Sequence, residues 1–118
     1  MNLTVYGIPN CTTVKKARAW LDARGLAYQF HDYKKMGVPA DRLPQWVDAL
    51  GWEKLINRQG TTWRKLDPAI QAGVVDATTA QALMQDHPSV IKRPLLERDG
   101  VPLAIGFDEP AWLAVVSE

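Results

Sequence analysis

The sequence predicts one α/β domain, a mixed four-stranded sheet with a helical insertion, and three observations carry that reading. Leu3-Thr4-Val5-Tyr6 reads as a strand, the turn Gly7-Ile8-Pro9-Asn10 follows, and a helix begins at about Thr12. Ala27-Tyr28-Gln29-Phe30-His31-Asp32 then alternates as a second strand, and two strands joined by a helix of this length run parallel. Asp99-Gly100 is a hairpin signal between Leu95-Leu96-Glu97 and Leu103-Ala104-Ile105-Gly106, which adds an antiparallel pair. Between about residues 40 and 86 the patterns are helical, without linker, repeat or low-complexity tract.

Each element follows from local chemistry. Val14, Ala17 and Leu21 fall on one face of the first helix, with Lys15, Lys16 and Arg18 outward and Gly25 as a stop. Lys34-Lys35-Met36-Gly37-Val38-Pro39 reads as a loop. Leu43, Trp46, Val47 and Leu50 form the stripe of a helix ending at Gly51, and Trp52, Leu55 and Ile56 add one turn. Asn57 to Lys65 reads as an ordered polar loop. Asp67-Pro68 opens a short helix that fades near Gly73. A further helix from Thr78 or Thr79 carries Ala82, Leu83 and Met84 inward and stops before Pro88. Asp108 caps a final helix, Glu109 to about Val116, with Trp112, Leu113 and Val116 inward.

A chain of 118 residues with 47% hydrophobic and 23% charged residues is long enough for a real core. A net charge of +1 argues against general attraction to nucleic acid or anionic membranes. No apolar run reaches the length of a membrane span, and the N-terminus lacks a signal-peptide pattern. A monomer in a reducing cytoplasm is expected, since the one cysteine cannot build a disulfide framework.

That cysteine, Cys11, is the most informative residue. It precedes the first helix, where unpaired N–H groups and the positive end of the helix dipole favour a thiolate. Lys15 and Lys16, one turn on, are expected to push the same way. Position 14 is valine, so the C-x-x-C device is missing. Any redox cycle through Cys11 therefore needs a thiol from elsewhere, such as glutathione, a glutaredoxin or a second subunit.

Three blocks carry a resemblance. They are Tyr6-Gly7-Ile8-Pro9-Asn10-Cys11-Thr12-Thr13 with Lys15-Lys16-Ala17, Leu55 to Arg64, and His87 to Leu96. Together they resemble the arsenate reductase-like (ArsC/Spx) family, in particular its YffB-type branch, which shares Gly51-Trp52, the Arg-x-Gly-Thr-Thr-Trp-Arg-Lys-Leu run and Ile-Lys-Arg-Pro-Leu-Leu. The resemblance implies a thioredoxin-like fold. It makes Cys11 the nucleophile, Arg58 and Arg93 anion-binding arginines, and Pro94 a cis-proline beside the active sulfur. A guanidinium supplies fixed, always charged donors for an oxyanion or carboxylate. Asn10, Thr12, Thr13 and Lys15 complete the expected substrate or glutathione site, with backbone amides at the helix start.

The chain also departs from that pattern. Arsenate reductases of this type carry a histidine four residues before the cysteine, where this chain has Gly7. They carry a third arginine after the last hairpin, and Gly100 to Phe107 contains none. Fewer donors weaken the grip on a tetrahedral oxyanion. The expected function is a glutathione-dependent thiol oxidoreductase with no tightly bound cofactor. The alternatives are arsenate reduction with glutathione or glutaredoxin, and an Spx-like regulatory module that binds a protein partner. His31 and His87 are too few for a zinc site with one cysteine. Trp20, Trp46, Trp52 and Trp112 are expected in the core, with Trp63 in the arginine loop.

Overall fold

The computed structural model describes residues 1–117. Strand β1 is Leu3–Gly7, helix α1 Thr12–Ala23 and strand β2 Gln29–Asp32. A one-turn helix, α2, covers Tyr33–Met36. Helices α3 (Leu43–Leu50), α4 (Trp52–Leu55), α5 (Thr61–Arg64), α6 (Pro68–Ala72) and α7 (Ala77–Asp86) follow, then a 3-10 turn at Pro88–Val90. The hairpin strands are β3 (Leu95–Arg98) and β4 (Val101–Ile105), and helix α8 (Glu109–Val116) closes the order. The chain forms two compact units, one of Met1–Met36 with the segment from Arg93 onward, the other Gly37–Lys92. The helices expected between about 40 and 86 fall in the second.

In the first unit the sheet order is β2-β1-β3-β4. β1 and β2 are parallel, with Tyr6 opposite His31, as the strand–helix–strand spacing requires. β1 pairs antiparallel with β3, and β3 with β4. Asp99 (φ 52°) and Gly100 (φ 79°) make the hairpin turn with two left-handed residues, the geometry that matches strand twist. One face of the sheet supplies Leu3, Val5, Leu96 and Ala104 to a core closed by Ala17, Leu21 and Trp112. Trp112 is fully buried, and its indole N–H donates to the Gly106 carbonyl at 2.9 Å.

In the second unit Leu43, Trp46, Leu55, Leu83 and Met84 are buried. Asp76 caps α7 by accepting from the Thr79 amide at 2.9 Å, and the Thr79 hydroxyl answers the Asp76 amide. The Thr79 amide, together with the Thr79 hydroxyl that donates to Asp76 Oδ1 at 2.8 Å, holds the Asp76 carboxyl below the usual carboxylate range. Ile56 bridges to Ile91, and the Asn57 amide donates to the Val90 carbonyl at 2.8 Å.

Several expectations need correction. Tyr33–Met36 is helical rather than loop, because Asp32 Oδ1 accepts from the Lys34 amide at 2.8 Å and starts the turn. The polar loop contains α5, reached through an Asx turn in which Asn57 Oδ1 accepts from the Gln59 amide. β2 begins at Gln29, two residues after the alternation starts. In α7 Ala80 is buried in place of Ala82, and in α8 Leu113 is 41% exposed. Trp20 and Trp52 are only half-buried, while Trp46 and Trp112 have no exposed surface. Arg18 is half-buried rather than fully outward. Its guanidinium lies 4.1 Å from the Phe30 ring centre, and Nε donates to the Tyr28 hydroxyl at 3.1 Å.

Candidate active site

Cys11 is the N-cap residue of α1, in extended backbone conformation (φ −83°, ψ 128°). Its amide donates to the Ile8 carbonyl at 3.2 Å, closing the Ile8–Cys11 turn. Its carbonyl accepts from the Lys15 amide at 2.9 Å and starts the helix. The neutral side chain closes no cap hydrogen bond of the serine or aspartate kind. Its anion is another matter. Partial burial pushes the thiol up, but the Val14 amide, a hydrogen bond from the Arg93 side chain, the Thr13 amide and the Arg93 charge outweigh it. The result is a thiol lowered from its ordinary value.

The charge that does this differs from the one the helix pattern favours. Lys15 and Lys16 are exposed, and neither is among the groups that lower the thiol. Water screens charges on an open helix face. Arg93 is half-buried and bonds the sulfur directly. It reaches Cys11 because β3 lies beside β1. Pro94 is buried, and the Arg93–Pro94 peptide bond is cis, as the resemblance implies. The Gly106 amide donates to the Pro94 carbonyl at 2.7 Å, which ties this turn to the chain after β4.

Cys11, Thr12, Thr13, Arg93 and Pro94 thus belong to one unit. Asn10 and Thr12 are exposed at the helix start, and Thr13 is half-buried with its amide toward the sulfur. Arg58 belongs to the second unit, where its guanidinium lies 5.5 Å from the centre of the Trp63 ring. Among the described residues no group of three His, Cys, Asp or Glu side chains is placed to hold a metal ion. No helix among them is long and apolar enough to cross a membrane.

The glycine at position 7 has a packing cause. A Cβ built there meets Val14 Cγ2 at 2.9 Å, and Val14 is fully buried. A larger residue, including the histidine of the arsenate reductases, has no room unless Val14 gives way. Gly7→Ala is therefore expected to cost about 1–3 kcal/mol. In the double variant Gly7→Ala/Val14→Ala the loss should be smaller than the sum of the single losses. Urea denaturation of the four proteins measures the coupling, and simple additivity would show that the contact is not the cause.

Three further residues of this unit receive no role from the motifs. Tyr6, Tyr33 and Glu97 are 6%, 3% and 3% exposed. A glutamate directly after two leucines in an apolar strand is the one signal that could have drawn notice to them.

The geometry defines an α/β protein with one cysteine, its thiol lowered, at a helix start and beside an arginine that precedes a cis-proline. The ArsC family model matches residues 6–115, and the chain belongs to the ArsC family. Its fold is the family's thioredoxin-like fold. The chain is similar to a solved YffB protein, with 46% identity, 95% of this chain and 96% of that one covered, and a TM-score of 0.89. It is similar to an arsenate reductase (ArsC) related protein from Brucella melitensis, at 48% identity over 97% and 93% of the two chains, with a TM-score of 0.76. An uncharacterized protein of Haemophilus influenzae is 42% identical over 95% of this chain and 96% of its own. A more distant relative is the global transcriptional regulator Spx of Streptococcus agalactiae, 28% identical over 91% and 77%.

Proposed function

We propose that this ArsC-family chain is a glutathione-dependent thiol oxidoreductase with Cys11 as its nucleophile. The observation that carries the reading is the Cys11 sulfur at the start of α1 under the Arg93 side chain, with its thiol lowered. In the first step the Cys11 thiolate attacks one sulfur of a mixed disulfide between glutathione and a substrate. The Cys11–glutathione disulfide forms and the substrate leaves as a thiolate. In the second step a glutathione thiolate attacks that bond, releasing glutathione disulfide and restoring the Cys11 thiolate. In sum, the mixed disulfide and one glutathione thiolate become a substrate thiolate and glutathione disulfide, so the substrate sulfur is reduced and the sulfur of the incoming glutathione is oxidised. The lone cysteine makes the external thiol obligatory. The positive charge of Arg93 and the amides of Thr12 and Thr13 offer a grip for a carboxylate of the tripeptide. Arg58 keeps the role that the resemblance implies, an anion-binding arginine, and the reading stands on Cys11 and Arg93 without it. Operation as a monomer in the cytoplasm, where glutathione is abundant, is part of the proposal.

The test is the intact mass after exposure to glutathione disulfide near neutral pH. One adduct, formed faster than on an ordinary exposed thiol and cleared by reduced glutathione, supports the reading. An adduct no faster than on a free thiol overturns it. The pH dependence has a definite sign. A lowered thiol is ionised at lower pH, so alkylation of wild type should reach its plateau below the pH that an ordinary cysteine needs. Arg93→Gln should move that midpoint upward, because it removes a charge and a hydrogen bond that lower the thiol.

Arsenate reduction is the second reading, favoured by the 48% identity to an arsenate reductase-related protein. The packing of Gly7 against Val14 and the missing third arginine weigh against it. Arsenite formation with glutathione and glutaredoxin supplied separates the two.

A further inference from the structure

The thiolate reading assigns a task to Arg93 without saying what holds that side chain in place. The answer lies on the sheet face opposite the Leu3–Val5–Leu96 core, where side chains alternate. There the Tyr6 hydroxyl on β1 donates to Glu97 Oε1 on β3 at 2.8 Å, in a buried setting. The His31 ring, on β2, lies 5.1 Å from the Tyr6 ring and 6.0 Å from the Tyr33 ring of α2. A carboxylate 3% exposed is costly unless hydrogen bonds and an opposite charge compensate it. Tyr6 supplies a neutral donor. Of the two arginines at β3, Arg98 donates to the Val115 carbonyl, and the other is Arg93, two residues before the strand. Burial raises the Tyr33 hydroxyl above its ordinary range and Tyr6 adds to this, while Arg93 lowers it and Glu97 raises it. Arg93 stands two residues before β3 with its Nε buried, Glu97 stands within β3, and both charges act on the buried Tyr33 hydroxyl, while Arg93 also bonds the Cys11 sulfur.

We propose that Glu97, held by Tyr6, is a positioning residue whose buried carboxylate anchors the Arg93 guanidinium toward the Cys11 sulfur. Glu97 touches neither the sulfur nor a substrate in this scheme. It acts through Arg93, so the inference rests on the thiolate reading and extends it.

The sign of the effect makes the idea testable. Cys11 is the only cysteine, so alkylation by iodoacetamide reports on it alone. Glu97→Gln keeps an acceptor for Tyr6 and removes the charge. If Glu97 anchors Arg93, the alkylation midpoint rises, and the rate at about pH 6.5 falls roughly threefold to tenfold. In an Arg93→Gln background the same substitution should do nothing further. Tyr6→Phe, which frees the carboxylate from its donor, should shift the midpoint the same way by less. It serves as the test if Glu97→Gln does not fold, as judged by circular dichroism. A midpoint that falls in Glu97→Gln would mean that the carboxylate acts only as a nearby negative charge, and would overturn the anchoring role. No shift, or a shift that adds in full to that of Arg93→Gln, would overturn it too. A wild-type midpoint at the ordinary thiol value, indifferent to Arg93→Gln, overturns the thiolate reading and this inference with it. A depressed wild-type midpoint that Arg93→Gln raises keeps the two questions separate.

Discussion

Cys11→Ser is expected to abolish glutathione adduct formation and to lower turnover of small mixed disulfides by on the order of a thousandfold or more. A serine hydroxyl stays protonated at neutral pH and forms no disulfide. With no second cysteine in the chain, nothing can substitute for the lost sulfur. The fold should survive, because Cys11 is only partly buried and its side chain closes no cap hydrogen bond. Circular dichroism and thermal melting of the variant should therefore match wild type closely. A coupled assay of glutathione disulfide release, run on both proteins, measures the loss. Turnover that persists unchanged in Cys11→Ser would remove this cysteine from the mechanism and with it the proposed function.

Trp112→Ala should produce the largest loss of stability. The indole is fully buried between α1 and the sheet. It meets the Phe107 ring edge-on at 5.1 Å and the Trp20 ring at 6.4 Å. Truncation leaves a cavity, orphans the Gly106 carbonyl and removes two aromatic contacts. The expected cost is about 3–5 kcal/mol, against a typical total of roughly 5–15 kcal/mol for a domain. For a chain of this size that corresponds to a fall in Tm of roughly 10–20 °C. Trp112→Phe keeps most of the apolar volume and should cost about half as much or less. A Tm change under a few degrees for the alanine variant would show that this end of the core repacks freely.

Much of this fold is legible residue by residue because its signals are local. Asp99-Gly100 demands two left-handed residues and makes the hairpin. Asp67-Pro68 and Asp108 cap their helices by accepting from the amides two and three residues on. The spacing of Val14, Ala17 and Leu21 states which face of α1 is buried. Even the cysteine at the helix start is a local motif, since the amides that act on it belong to the next three residues.

Other features depend on partners far along the chain. The one-turn helices Tyr33–Met36 and Thr61–Arg64 are too short to show a period, and the side chains of Asp32 and Asn57 launch the turns that lead into them. The sequence pattern points to Lys15 and Lys16 as the charges on the thiol. Solvent screens them, and the strand pairing of β1 with β3 brings Arg93 to the sulfur instead. Glu97 is a polar residue in a short strand until Tyr6, 91 positions away, is seen to hold its carboxylate out of water. Residue order alone settles most kinds of element, their caps and the place of the cysteine at a helix start, because those rest on backbone geometry and neighbouring side chains. Which arginine meets the sulfur, and which carboxylate is buried behind it, is decided only when distant strands pair and exclude water.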